Sequence, residues 1–283
     1  MRILAIATLA LLGACTTTNN LDLSGMSFSP TPLAGKVVWN DLVTEDAEAA
    51  RRFYEGVFGW TFEKATSAGG LPYLLARQDG VYVAGIVQTA PRADGKPITR
   101  WLPYFSVADV DVSVARAQSL GGTVVLTART IPIGRVAAVT DPENAVIGLA
   151  RSRIGDPDDA TTRAGAGRVV WTELPSNDPV KAANFYREVT GLVPVDVTRR
   201  GGTYTMMRAG TIERAGIFRN PDSQWSPAWL THFGVADLAG AVERTKSLGG
   251  KVLLAPSPEM REGTMAVITD PNGAILVLHK TGA

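Results

Sequence analysis

The chain is poor in the side chains that usually perform chemistry, having two histidines, His232 and His279, and one cysteine, Cys15. Disulfides and cysteine-ligated metal within one chain are thereby excluded. A carboxylate beside an imidazole is what a proton-shuttling site needs, because it fixes the tautomer and stabilises the protonated ring. Carboxylates and hydroxyls that share a strand face with bulky neighbours are therefore the residues of interest. Asp41 and Glu173 each stand two residues beyond a tryptophan, Trp39 and Trp171, while Tyr104 and His232 each stand two beyond a leucine, Leu102 and Leu230. Strand side chains alternate, so each polar group faces the same way as its apolar neighbour. Trp39, Trp171, Tyr73 and Tyr204 can line a cavity and stack on a flat ligand, since indole and phenol combine area with a polar handle. They suit a packed core equally well, and for Trp101 and Trp229 the core is the preferred reading. His279 reads as exposed and incidental. There is no glycine-rich phosphate loop followed by Lys-Ser or Lys-Thr, no Gly-x-Ser-x-Gly elbow and no dinucleotide fingerprint, so nucleotide chemistry finds no support.

The elements that must hold these residues come in duplicate. Gly35-Lys36-Val37-Val38-Trp39 returns as Gly167-Arg168-Val169-Val170-Trp171, and Phe53-Tyr54 with Gly59 returns as Phe185-Tyr186 with Gly191. Val107-Ala108-Asp109 and Ser119-Leu120-Gly121-Gly122 return as Val235-Ala236-Asp237 and Ser247-Leu248-Gly249-Gly250, and Asp141-Pro142 as Asp270-Pro271. The near-constant offset marks a tandem repeat whose loops alone have changed length. Within each copy a strand, a helix and three strands follow one another, and then the order restarts. Asp46 and Asp178 suit helix N-caps, Pro179 the first helical turn, and the Gly-Gly pairs helix ends. The organisation expected is one domain over 35–152, a linker over 153–166 and a second domain over 167–280.

At 283 residues with 45% hydrophobic content, two domains with proper cores are the natural expectation. Lys and Arg number 28 against 27 Asp and Glu. That balance leaves no field to attract nucleic acid. The first fifteen residues combine a basic start, Arg2, with an apolar run from Ile3 to Leu12 and a small-residue ending, Leu12-Gly13-Ala14-Cys15, which is a secretion signal. The run is too short to span a bilayer. Its ending resembles the lipobox of bacterial lipoproteins, so Cys15 is expected to be acylated and to anchor the protein on the periplasmic side of the cell envelope. Residues 16–34, rich in Thr, Asn, Ser and Pro, read as a flexible tether.

The element order, with Asp-x6-Phe-Tyr on the first helix, Val-x-Asp opening the second, Gly-Gly closing it and Asp-Pro before the last strand, resembles the vicinal-oxygen-chelate superfamily of glyoxalases, bleomycin-resistance proteins and extradiol dioxygenases. The resemblance implies an α+β fold of two tandem domains, each a pair of βαβββ modules whose mixed sheet curls around a cavity. It also implies a divalent metal held by side chains from the first strand of each module and from the last. Those positions fall here on Trp39, Trp171, Leu102, Leu230, Gly148 and Val277. None of them can bind a hard cation. If the modules pair as in that family, Glu173 approaches His232 and Asp41 approaches Tyr104. The first pair then suits acid–base chemistry, or serves simply as hydrogen-bonded partners in the sheet.

The leading expectation is a lipid-anchored protein that binds a small apolar or aromatic molecule through Trp39, Asp41, Tyr104, Trp171 and Tyr204, with no cofactor and no metal ligand assigned. A divalent metal bound by side chains not recognised here stays open. One alternative is a lyase, isomerase or dioxygenase-like enzyme using Glu173 and His232 or such a metal. Another is an envelope scaffold that binds a protein partner. Because the duplication supplies two copies of the pairable unit, a monomer is expected.

Overall fold

The computed structural model describes residues 23–24, 26–67, 70–91, 98–159, 165–199 and 202–282. The secretion signal and Cys15 lie outside the described residues. A two-residue strand β1 (Phe28–Ser29) precedes the first module, β2 (Val37–Thr44), α1 (Ala47–Phe58), β3 (Thr61–Thr66), β4 (Pro72–Gln78) and β5 (Val81–Gln88). The second module is β6 (Arg100–Ser106), α2 (Val110–Ser119), β7 (Val124–Ile131), β8 (Gly134–Thr140) and β9 (Val146–Ser152). After β10 (Asp156–Pro157), the third module is β11 (Val169–Ser176), α3 (Pro179–Thr190), β12 (Val193–Arg199), β13 (Gly202–Ala209) and β14 (Ile212–Arg219). The fourth is β15 (Leu230–Val235), α4 (Leu238–Ser247), β16 (Lys251–Leu254), β17 (Met265–Thr269) and β18 (Ile275–Lys280).

Each half forms one eight-stranded mixed sheet, in the order β3-β4-β5-β2-β6-β9-β8-β7 and β12-β13-β14-β11-β15-β18-β17-β16. The first strands of the two modules in a half meet antiparallel at the centre, β2 on β6 and β11 on β15. The expected α+β architecture of tandem paired modules is thus the observed one.

Local chemistry explains the helices. Asp46 and Asp178 are N-caps whose side chains accept from the Ala49 and Lys181 amides, and Gly59 and Gly191 end the same helices in the left-handed conformation. Ala50, Phe53, Tyr54 and Val57 make the buried face of α1, and Ala182, Phe185, Tyr186 and Val189 that of α3. These faces are shared between the halves. One core joins α1, Trp60 and Trp101 to Phe233, Leu238, Ile268 and Leu276; the other joins Phe105, Ile147 and Leu149 to Leu174, α3 and Trp229. Each buried aromatic there contributes roughly 1.5–3 kcal/mol.

The repeated motifs turn out to be what holds the halves together. Tyr54 donates to Asp270 Oδ2 at 3.1 Å and accepts from Trp101 Nε1 at 3.0 Å. Tyr186 donates to Asp141 Oδ2 and accepts from Trp229 Nε1, both at 2.9 Å. Burial raises the carboxyl pKa of Asp141, and raises that of Asp270 to about 6, in spite of these bonds. A Cβ on Gly250 would come within 2.8 Å of the Phe53 ring, and one on Gly122 within 3.2 Å of the Phe185 ring. The second glycine of each Gly-Gly pair therefore admits the phenylalanine of the opposite half.

One expectation requires correction. The described part of the segment read as a flexible tether is docked: β1 pairs with β10, and the Leu33 amide donates to Asp156 Oδ2 at 2.6 Å. Leu23 and Met26 pack against the first sheet. The described start of the linker is held as well, for Lys36 Nζ donates to Pro157 O at 2.7 Å and to Asp159 Oδ1 at 3.0 Å, and Arg214 meets Asp159 at 2.6 Å. Hydrogen bonds from Arg214, seconded by Lys36, hold the Asp159 pKa at about 2. Composition pointed to flexibility, but apolar residues spaced through 23–33 give this segment something to bury.

Candidate functional site

The helix-free faces of the two sheets start from one pattern. On β11, Trp171 and Glu173 project to the same side, and on β13 Tyr204 projects beside them. Tyr204 donates to Glu173 Oε2 at 2.8 Å and accepts from Trp171 Nε1 at 2.9 Å. In the first half, Asp41 Oδ1 accepts from Tyr73 at 2.7 Å and from Trp39 Nε1 at 2.8 Å. Both tyrosines cross a glycine: a Cβ on Gly85 or Gly216 would fall 1.7 Å from the hydroxyl oxygen. The tyrosine–carboxylate bond thus depends on glycine at those two positions.

From there the halves diverge. In the first, Asp41, Tyr73 and Tyr104 are buried, and the two tyrosines belong to a cluster with Leu102, Leu126, Ile131 and Val136. Burial and then the Asp41 charge push the Tyr104 hydroxyl pKa well up. Asp41 and Tyr104 do approach one another, but inside a packed face. In the second half the comparable apolar cluster is only Met265, Val267 and Val277, with Leu230 and Met260 against it. An open groove of about 1730 Å³ starts over it, walled there by Phe218, Tyr204, Leu230, Val267, Val277 and Arg261, and continues to Arg100 and Glu143 of the first half.

Glu173 opens onto this cleft, and His232 lies fully buried behind it with Nε2 3.3 Å from Glu173 Oε1. Arg261 approaches Oε2, also at 3.3 Å. Burial raises the Glu173 pKa, but the His232 imidazole 3.3 Å away, the charge of Arg261 and the Tyr204 bond outweigh it and set the value at about 2. Burial and the Glu173 charge raise the Tyr204 hydroxyl. Arg261 comes from the 255–264 loop, where Arg261 and Glu262 hold consecutive positive φ angles of 46° and 58°. Such backbone costs about 1–3 kcal/mol per residue and is concentrated at binding and catalytic sites.

The expected Glu173–His232 approach is therefore present, with the imidazole shielded from the cleft by the carboxylate. Trp171 is half-buried beside Tyr204, and Trp39, Asp41 and Tyr104 lie on the filled face, away from the cleft. Trp101 and Trp229 are core residues, as read from the sequence. His279 is corrected: it is half-buried, its ring centroid is 5.8 Å from that of His232, and burial, then the charges of His232 and Arg261, lower its pKa. Strand alternation carried the signal, because His279 shares a face with Val277, which sits opposite His232. Arg261 is the residue sequence reading missed, since its loop has no periodicity.

Two eight-stranded mixed sheets, each made from a pair of βαβββ modules, define the class of fold. A model of the Glyoxalase/Bleomycin resistance protein/Dioxygenase superfamily matches residues 36–149 and 168–278, and the chain belongs to that family. "Putative glyoxylase CFP32" of Mycobacterium tuberculosis is 34% identical over 248 residues, covering 86% of this chain and 93% of the relative. "Anthracycline biosynthesis protein DnrV" of Streptomyces peucetius is 31% identical over 254 residues, covering 85% and 91%. Among solved structures, the Mn(II)-bound glyoxalase from Novosphingobium aromaticivorans aligns with a TM-score of 0.58 at 15% identity, over 88% of this chain and 83% of that one. A 2,2',3-trihydroxybiphenyl 1,2-dioxygenase from Sphingomonas wittichii aligns at 0.55 and 12%, over 88% and 91%. At those identities the structures show the shared fold.

The metal this fold implies finds no fitting donors at its expected positions. Trp171, Leu230 and Val277 offer no lone pair suited to a hard cation, and neither do Trp39, Leu102 and Gly148. Among the described residues, no three of His, Cys, Asp and Glu converge in metal-binding geometry.

Proposed function

We propose that the second half binds a small, mostly apolar or aromatic molecule in its open cleft, without a metal at the family's usual positions. The carrying observation is the contrast between two faces of one repeat, one filled with side chains and one left as a cleft over Met265, Val267 and Val277. A concave site with an apolar floor and a few convergent polar groups is the usual form of a small-molecule site. The similarity to proteins named for anthracycline biosynthesis supports a flat polycyclic ligand. The protein acts on the periplasmic side of a bacterial membrane, held by lipid on Cys15. Equilibrium dialysis and mass spectrometry of molecules that copurify test the binding, and an empty, non-binding cleft refutes it. Replacing Cys15 by Ser should release the protein from membranes and abolish its labelling by fatty acid.

A second reading is favoured by the 3.3 Å approach of His232 to Glu173. There Glu173 and His232 act together as acid and base on a ligand in the cleft, while Tyr204 holds the carboxylate in place. Turnover that persists in a Glu173→Gln, His232→Ala double variant removes this version.

A further inference from the structure

We infer that the ligand of this cleft carries a negative charge beside its flat body, and that Arg261 receives that charge. The inference rests on the binding function proposed above and names the class of molecule, an aromatic carboxylate or a similar aromatic anion.

The argument begins with the lone pairs of Glu173. Oε2 already accepts from Tyr204 and Arg261, and Oε1 is 3.3 Å from the buried His232. A cationic ligand would have to displace these partners from a carboxylate that is only 5% exposed. Arg261 is in the opposite situation. A guanidinium has five N–H donors in a fixed fork, well matched to a carboxylate. Arg261 makes one long contact to Glu173, at 3.3 Å, and its side chain keeps 38% exposure on the cleft wall.

Positive charge is concentrated beside the Tyr204 ring. Two guanidiniums, of Arg261 and Arg199, lie 5.7 and 5.8 Å from the centre of the Tyr204 ring, and both line the cleft. Glu173, the carboxylate bonded to that tyrosine, offsets one of them. Of the remaining acids on the wall, Asp196 accepts from Thr205, and Glu143 accepts from Ser176 and from the Asn177 amide. Glu259 and Glu262 also line the cleft, but they are exposed, and solvent screens their charges. Beside an apolar floor the attraction between a guanidinium and an anion is screened less than in water. A flat apolar body therefore packs on the floor while its charged end meets Arg261.

The test is calorimetric titration of the purified full chain with 2-naphthoate, naphthalene and 2-naphthylmethylammonium, which differ chiefly in charge. 2-Naphthoate should bind about tenfold or more tightly than naphthalene, and the ammonium weakest of the three. Arg261→Gln should abolish the preference of naphthoate over naphthalene, and Arg261→Lys should restore part of it, since a point charge lacks the fork. Arg199→Gln should weaken the preference less. Circular dichroism and melting confirm that each variant is folded. Equal affinity for the three compounds overturns the inference while leaving the binding function in place. Tightest binding of the ammonium overturns it in favour of Glu173 as the receptor, and binding of none overturns both readings.

Discussion

The helix-free faces of the two sheets share a tryptophan, a tyrosine and a carboxylate over a glycine, yet one is solid and the other is hollow. Three features make the difference. In the first half, β7 runs for eight residues and turns tightly into β8, bringing Leu126 and Ile131 over the sheet. Its counterpart β16 has four residues, and the chain then leaves the sheet through Pro256 and Pro258 before Arg261. Leu23 and Met26 of the N-terminal segment also pack on the first face. A duplicated unit can thus keep one copy as a stabilising block while the other keeps its space for a ligand, with almost no change to the strands themselves.

Matched substitutions test this comparison. The largest contrast is expected for the leucines at matching positions of the repeat. Leu102 is 1% exposed, whereas Leu230 is half-buried on the cleft wall. Leu102→Ala should cost about 3–4 kcal/mol in urea unfolding and Leu230→Ala about 1 kcal/mol. Equal costs would mean that both faces are packed. The glycines under the tyrosines come next. Gly85→Ala should destabilise by about 3 kcal/mol, because Tyr73 has nowhere to move, and Gly216→Ala by about 1 kcal/mol, because Tyr204 can swing into the cleft.

A third contrast uses pH. The folded pKa of Glu173, about 2, lies below its unfolded value. Its contribution, on the order of 2–3 kcal/mol, is therefore fully present above about pH 5 and disappears as pH falls through 2. Asp270 has the opposite sign: at about 6 its folded pKa is raised, so stability present below its unfolded value is lost as pH rises through 6. Glu173→Gln should flatten the acid limb of stability against pH, and Asp270→Asn should flatten the limb between pH 4 and 6. Identical profiles for the two variants would contradict the charge assignments. A further effect, about 1–2 kcal/mol, is expected on deleting residues 1–29, which uncovers the first face and removes the docking of Leu23, Met26 and Phe28. Binding in the second cleft should be unchanged.

The duplication, the four modules and the helix caps were legible in the sequence, because each follows from local periodicity, whereas the approach of Glu173 to His232 needed the module pairing that the family resemblance implies. Alternation also fixed which residues share a face, so His279 could have been placed beside His232 by extending the rule from Val277. No local rule says whether a face is covered. That depends on the length of a hairpin and on where a distant segment such as 23–33 docks. The same limit applies to Arg261, which reaches Glu173 across 88 positions of chain from a loop without pattern. Backbone propensity and side-chain periodicity act over a few residues and determine the elements and their orientation. Which face was filled, and which guanidinium met the buried carboxylate, was decided by packing between segments far apart in the chain.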